Sequence, residues 1–396
     1  MSEGDLYADR EQTLVKHFIL EHYLERFAHI VGSAWDAITY VDCFAGPWNA
    51  RSEHLEDSSF ALALAQLRAA RTNLADLKLA RGRPPLELRC FFLEKDAAAF
   101  ARLSEFAKDV RDAEIATKHA TLEQSVDDIV AFVARRQNDA FPFVFVDPTG
   151  WTGFGLDVIE PLLKLRPGEV LVNFMTGHIL RFAEHSDPAI QQSFDRLFGP
   201  IDYRARIVGL AGQDREDELV RCYCDAIRDT GGYDYVCPAI VLHPENDRTH
   251  FHLLYATRNA KGVEAFKQVE KKAMEVMEKA RGEAQKRGRV HRTGQLELLG
   301  AEQMHDTRHY DALRGRHLTA ARVDVEQLLV TRRVVVYDEA WITALSHPLV
   351  WDSDLKAWIA KWVKEGRLRI TGMKPRERVP KREAGHQLVW QGQRHE

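Results

Sequence analysis

The chain has 396 residues, a formal net charge of −4 and a pI near 6.5. These values exclude a globally basic nucleic-acid-binding protein, and no apolar run approaches the ~20 residues of a membrane span. Residues 1–5 lack the pattern of a secretory signal, and the odd number of cysteines, 5, indicates free thiols. We therefore expect a cytoplasmic protein without membrane contact.

Strands alternate with helices through the first half of the chain. Apolar residues at three- and four-residue spacing predict a helix at 9–30, within an N-terminal helical segment 1–36. Apolar runs predict strands at 37–43, 86–94, 113–117, 141–147 and 169–175. Helical spacing between them predicts helices at 58–80, 96–111, 121–136 and 156–164. This alternation predicts a doubly wound parallel sheet with right-handed crossovers.

The last two predicted strands of this α/β domain are connected differently from the others. The runs 234–241 and 250–257 are separated only by a short polar link, which permits a hairpin but no crossover helix. A parallel sheet closed by an antiparallel last strand is typical of the Rossmann-like class I methyltransferase fold. We assign this domain to residues 37–280, with a helical insertion at 177–230 that suits a substrate cap.

The C-terminal part reads as a separate small domain. A basic, glycine-containing stretch begins at Arg281 and predicts a linker over 281–317, followed by a winged-helix-like domain over 318–396. The patterns within this domain predict helices at 323–332, 338–346 and from Asp352, with strands at 368–371 and 386–390. The two strands flank a basic loop, 374–382, which would form the tip of the wing.

Two predicted strands end in residues that are suited to bind a ligand. The stretch 40–47, Tyr-Val-Asp-Cys-Phe-Ala-Gly-Pro, is an apolar strand that ends in an acid and a small-residue turn. The stretch 143–150, Phe-Val-Phe-Val-Asp-Pro-Thr-Gly, repeats the pattern, and the strand between them ends in Glu94. Because the carboxyl ends of parallel strands meet at one edge of a sheet, these ends predict a nucleotide-type cofactor site.

The chain resembles the three-Cys-motif partner (TcmP) proteins, a methyltransferase-like family of bacteria and phages. The resemblance begins at Lys16, runs through 40–47 and 147–150, and covers most of residues 10–280. The sequence departs from the family pattern at Trp48, where glycine is usual, and at Thr149, where an aromatic residue is usual. The family name implies a partner protein, and its fold implies S-adenosylmethionine as the cofactor.

Each predicted site residue has a physical role. Asp42 would hold the ammonium group of the cofactor's methionine moiety, directly or through water. The turn residues after it, which would let the cofactor approach the backbone, are Phe44, Ala45, Gly46 and Pro47. Glu94 would accept both ribose hydroxyls, while Ala120 and Thr121 would border the adenine. Asp147 and Pro148 are the predicted catalytic residues, with Asp147 accepting a hydrogen bond from the target amine.

Structural roles are the alternative for several of these residues. Asp42 and Asp147 would merely cap the following helices, and Glu94 would be a solvated strand end. Trp151 follows the Asp147 motif one place late, so it would stack on a flipped base only if the loop bulges. The cysteine and histidine spacings do not match those of metal sites, so no metal is expected.

The sequence favours an S-adenosylmethionine-dependent methyltransferase that acts on an amino group of nucleic acid near Asp147. The tail would bind DNA or RNA and deliver it to this site, because its wing is locally basic in an acidic protein. One alternative is a catalytically silent methyltransferase fold that serves as a partner protein in a phage-defence or mobile-element system. Another is a methyltransferase for a protein or a small molecule.

Overall fold

A computed structural model describes residues 6–47, 50–294, 301 and 305–392 of the chain. It divides into two compact units, Met1–His305 and Asp306–Glu396. The first unit contains ten described helices and seven strands. The strands are β1 (Ala37–Asp42), β2 (Glu87–Glu94), β3 (Glu114–His119), β4 (Ala140–Val146), β5 (Glu169–Phe174), β6 (Tyr235–Leu242) and β7 (Thr249–Thr257).

The helices of the first unit connect and cover these strands. They are α1 (Glu11–Gly32), α2 (Ser59–Ala80), α3 (Ala97–Asp109), α4 (Val126–Ala134), α5 (Leu156–Leu163), α6 (Thr176–Phe182), α7 (Pro188–Phe198), α8 (Tyr203–Ile207), α9 (Gly212–Gly231) and α10 (Ala260–Thr293). The predicted insertion, 177–230, is therefore helical. No helix in the described part of the chain is long and apolar enough to cross a membrane.

The seven strands form one sheet in the order β3-β2-β1-β4-β5-β7-β6. Strands β1 to β5 are parallel, whereas β7 pairs antiparallel with β5 and β6 forms a hairpin with β7. This is the class I methyltransferase fold that the sequence predicts. The switch point of the sheet lies between β1 and β4, where the chain builds outward in both directions.

Both faces of the sheet are covered, because successive side chains of a strand point to opposite faces. Tyr40 and Phe143 stack on one face with ring centroids 6.2 Å apart, and Tyr23 of α1 packs against Phe143. Val41 and Val144 belong to the apolar cluster on the other face. The strands are consequently buried on both sides and read as continuous apolar runs.

The predicted linker is wrong in its first part. Residues 281–293 continue α10, and Arg281 is buried at 1% exposure. Its guanidinium donates to the His243 carbonyl oxygen at 3.2 Å, to Glu278 at 3.1 Å and to Asp247 at 2.8 Å. Basic composition suggested an exposed linker, but these partners let the cation enter the interior, and isolated glycines weaken a helix without ending it.

The second unit combines three helices with a small antiparallel sheet. Its elements are α11 (Arg308–Arg332), β8 (Val334–Val336), α12 (Tyr337–Leu345), α13 (Asp352–Lys364), β9 (Leu368–Thr371) and β10 (Gln387–Trp390), with the strands in the order β8-β10-β9. The predicted strand pair is present. Helix α11 starts well before the predicted residue 323, and β8 was not predicted from the sequence. The unit has its own core, which includes Trp341 and Trp362.

Burial of His252 in β7 makes the stability of the first unit depend on pH. The ring accepts or shares a hydrogen bond with Thr176 at 2.6 Å, and burial lowers its pKa to about 3. Because the unfolded chain binds the proton more tightly, His252 lowers the stability as the pH falls below 6.5.

We predict that His252→Gln is less stable than wild type at pH 7. The difference in unfolding free energy between the two proteins should narrow by about 2 kcal/mol at pH 5, because only the wild type loses stability through this histidine. Urea unfolding at the two pH values measures this, and an unchanged difference would contradict it.

Candidate functional site

A cavity of about 670 Å³ opens at the carboxyl ends of the parallel strands, above the switch point between β1 and β4. Eight of the ten predicted site residues line it. They are Phe44, Gly46 and Pro47 after β1, Glu94 at the end of β2, Ala120 and Thr121 after β3, and Asp147 and Pro148 after β4. Residues that lie up to 104 positions apart in the chain thus share one cavity, because parallel strands bring their ends to one edge.

Asp42 and Ala45 are not among the residues that line the cavity. The Asp42 carboxylate has no exposed surface and accepts hydrogen bonds from the Ser59 hydroxyl at 2.6 Å, the Phe44 amide at 3.1 Å and the Tyr40 hydroxyl at 3.3 Å. Burial raises its pKa to about 6 in spite of these donors. Asp42 thus ties the turn after β1 to the start of α2. Its role toward the cofactor's ammonium group, directly or through water, stays a prediction.

Glu94 is 4% exposed and forms part of the cavity wall. Its Oε1 accepts a hydrogen bond from the Asp96 amide at 2.7 Å, and Asp96 in turn caps α3 by accepting from the Ala99 amide at 2.8 Å. The carboxylate is thus held by backbone at the strand end rather than solvated. A fixed carboxylate at this place is suited to accept hydrogen bonds from a diol.

Asp147 is held by two side chains that were not predicted as site residues. Its Oδ2 accepts from the Lys16 ammonium at 2.5 Å, and its Oδ1 accepts from the Asn173 amide at 2.7 Å. Lys16 and Asp147 are only 14% and 15% exposed. The carboxylate is therefore oriented from both sides, yet each oxygen keeps capacity for a further hydrogen bond. Asn173 also carries a buried Oδ1 without a partner among the described residues.

The N-terminal segment supplies part of the wall. Arg10, Lys16 and His17 all line the cavity. His17 shares a hydrogen bond with the Tyr7 hydroxyl at 2.9 Å, and burial together with the neighbouring Lys16 and Arg10 lowers its pKa to about 3. Lys16 and His17 could have been noticed from the sequence, because these two polar residues interrupt the apolar face of α1. Only the family resemblance drew attention to Lys16.

Residues of the helical insertion also line the cavity. Trp151 lines the cavity, packs on Phe182 with ring centroids 4.6 Å apart, and donates its indole N–H to the Ser193 hydroxyl at 3.0 Å. Ser193 and Arg196 of α7 also line the cavity. Trp151 therefore joins the β4 loop to the insertion. Thr149 lies in the wall as well, whereas Trp48 lies outside the described residues.

The cavity fits an adenosyl cofactor by its size, by its place in the sheet and by the fixed carboxylate of Glu94. Its volume lies within the ~300–1,000 Å³ of small-molecule pockets. Its place at the switch point is where open α/β sheets bind nucleotides, and Glu94 is a fixed acid at the end of the second strand. Among the described residues no group of three or more His, Cys, Asp or Glu side chains is placed to hold a metal ion.

No family model and no curated protein sequence matches this chain. Solved structures resemble it weakly. A Legionella pneumophila protein assigned to DUF519 is 9% identical with a TM-score of 0.37, covering 66% of this chain and 92% of that one. A loganic acid methyltransferase with S-adenosylhomocysteine is 10% identical with a TM-score of 0.31, covering 74% and 93%. A cyclopropane synthase from Mycobacterium tuberculosis is 10% identical with a TM-score of 0.28, covering 68% and 79%. Such scores carry no argument about function.

The Lys16–Asp147 ion pair should be energetically coupled, because both groups are largely withdrawn from water. We predict that Lys16→Met and Asp147→Asn interact in a double-mutant cycle by about 1–3 kcal/mol of unfolding free energy. The exposed Lys108–Glu105 pair of α3, at 69% and 72% exposure, is the matched control and should show no measurable coupling. Urea unfolding of the variants gives both values. Equal coupling in the two pairs would contradict the assignment of Lys16 to a structured site.

Proposed function

We propose that the protein is an S-adenosylmethionine-dependent methyltransferase whose cofactor binds in the cavity above β1 and β4. The observation that carries the proposal is the convergence of Glu94, Thr121 and Asp147 on one cavity of the class I sheet. These residues end or follow three different strands. Glu94 and Asp147 were predicted from the acids at their strand ends, and Thr121 was predicted from its place after the third strand.

The cofactor, when bound, supplies an electrophilic methyl group on a sulfonium. The chain's task is then to bind and orient. Glu94 accepts hydrogen bonds from the two ribose hydroxyls, while Ala120 and Thr121 border the adenine. Backbone of the turn 44–47 lies against the methionine part, where glycine at 46 allows close approach.

Asp147 positions the acceptor on this account. Its carboxylate would accept a hydrogen bond from the target amine, and Pro148, which also lines the cavity, would border that amine. The amine nitrogen would then face the methyl group that the cofactor would supply when bound. Lys16 and Asn173 keep the carboxylate in place throughout.

For the substrate class we propose nucleic acid, on the strength of the basic loop in the second unit. Arg376 and Arg378 are exposed in the 374–382 loop. Of the other three cations of this loop, Lys374 is exposed as well. Lys381 pairs with Glu377 at 3.1 Å, and Arg382 lies over the Trp341 ring at 4.2 Å. The two exposed arginines, together with Lys374, are therefore the groups suited to contact phosphates.

Cofactor binding is tested with S-adenosylhomocysteine by isothermal titration. We predict micromolar affinity for the wild type and a loss of roughly 10- to 100-fold in Glu94→Gln, because a charged acceptor of two hydroxyls is removed. Glu87→Gln, at the other end of β2, is the matched control and should bind as wild type does. No binding by the wild type would favour the silent-scaffold alternative, and equal effects of the two substitutions would place the ribose elsewhere.

Nucleic-acid binding is tested through its dependence on salt. We predict that Arg376→Glu together with Arg378→Glu weakens binding of single- or double-stranded DNA or RNA. The slope of log affinity against log salt should fall by about one for each phosphate that the loop no longer neutralises. Lys108→Glu in the first unit reverses an exposed charge outside the loop and should leave the slope unchanged. If the loop substitutions change neither the affinity nor the salt slope, a protein or a small molecule is the better acceptor.

A further inference from the structure

Arg10 lines the cavity, and part of its guanidinium has no hydrogen-bond acceptor among the described residues. One terminal nitrogen, Nη2, donates to the Asp57 carboxylate and to the Leu6 carbonyl oxygen, each at 2.6 Å. Nε is buried without a partner among the described residues, and no hydrogen bond of Nη1 is found there either. A guanidinium has five N–H groups, so three of them await an acceptor. An unsatisfied buried donor is costly, which makes an absent acceptor the natural explanation.

The guanidinium is held rigidly by its one carboxylate partner. Asp57 is 3% exposed and also accepts from the backbone amides of Arg51 at 2.9 Å and Ser52 at 3.1 Å. Its oxygens are thus occupied by donors of the chain itself. Arg10 is only 11% exposed at its side chain, so its remaining donors have few conformations open to them. A ligand would meet a preorganised fork.

The position of Arg10 identifies which end of the cavity it serves. Asp57 directly precedes Ser58, the N-cap of α2, and Ser59, whose hydroxyl binds Asp42 at the end of β1. Ser58 and Ser59 line the cavity too, so the amino end of a 22-residue helix faces the same space. Helix amino ends favour anions. This end adjoins the turn after β1, to which Ser59 is joined through Asp42.

Neighbouring cations are not equivalent to Arg10. Lys16 is paired with Asp147, and His17 is neutral near pH 7 because burial and the adjacent cations lower its pKa to about 3. Arg10 is therefore the cation of this N-terminal wall whose guanidinium retains unused donors in the described structure. Its planar geometry matches a carboxylate.

We propose that Arg10, supported by the amino end of α2, binds the carboxylate of the amino-acid moiety of S-adenosylmethionine. This inference rests on the proposed function. It assigns the methionine end of the cofactor to the N-terminal segment and α2, while Glu94 holds the ribose end. It also predicts selectivity, because the site should discriminate against adenosyl ligands that lack the carboxylate.

The test compares two ligands in one titration series. S-adenosylhomocysteine carries the carboxylate, and 5′-methylthioadenosine lacks the whole amino-acid part. Arg10→Gln should lower the affinity for the first by roughly 10- to 100-fold and for the second by less than about threefold. Arg26→Gln is the matched control and should affect neither ligand, because Arg26 is a half-buried residue of α1 that donates to Gln268 and does not line the cavity. Equal losses for both ligands, or none, would overturn the proposal.

A second comparison does not depend on a folded Arg10→Gln variant. Wild-type protein should bind S-adenosylhomocysteine at least about tenfold more tightly than its decarboxylated analogue. Arg10→Lys should retain part of this preference, since it keeps the charge but not the fork. Equal affinity of the wild type for the two ligands would reject the Arg10 assignment but not the proposal that the cofactor binds in this cavity. Failure of the wild type to bind any adenosyl ligand would reject both.

Discussion

The buried carboxylate of Asp42 is the constraint on which the site depends. It accepts hydrogen bonds from Tyr40 in β1, from the Phe44 amide in the turn and from Ser59 at the start of α2. A charge taken out of water is tolerated only where such donors surround it, and burial still raises its pKa to about 6. By fixing the turn and the first residue of α2 together, Asp42 shapes the cavity without touching its interior.

The rest of the site builds on that junction. The turn brings its backbone to the cavity, and the start of α2 brings Asp57 to Arg10. On the far side of the switch point, Lys16 and Asn173 hold Asp147 from two elements. The N-terminal helix therefore belongs to the site rather than to its surroundings. The cavity has the Glu94 carboxylate at the proposed ribose end, the Arg10 guanidinium at the proposed carboxylate end, and the Lys16–Asp147 ion pair at the proposed acceptor position.

The sequence predicted the parts of the site that depend on local pattern. An apolar run that ends in an acid predicts a strand end, and Glu94 does end β2, Asp147 directly follows β4, and both line the cavity. The contact between Lys16 and Asp147 joins residues 131 positions apart, and no local pattern encodes it. Burial of Asp42 and of Arg281 likewise depends on partners from other elements, which is why one was expected at the ligand and the other in a linker. The parallel sheet with an antiparallel last strand followed from the alternation of strands and helices and from the closing hairpin, whereas the order of the strands comes from the structure.

The central claim is that an adenosyl ligand lies across the switch point with its ribose at Glu94. A crystal structure of the protein grown with S-adenosylhomocysteine tests it most directly. We expect both ribose hydroxyls within hydrogen-bond distance of the Glu94 carboxylate and the adenine beside Ala120 and Thr121. A ligand bound outside this cavity, or a ribose that does not contact Glu94, would contradict the account.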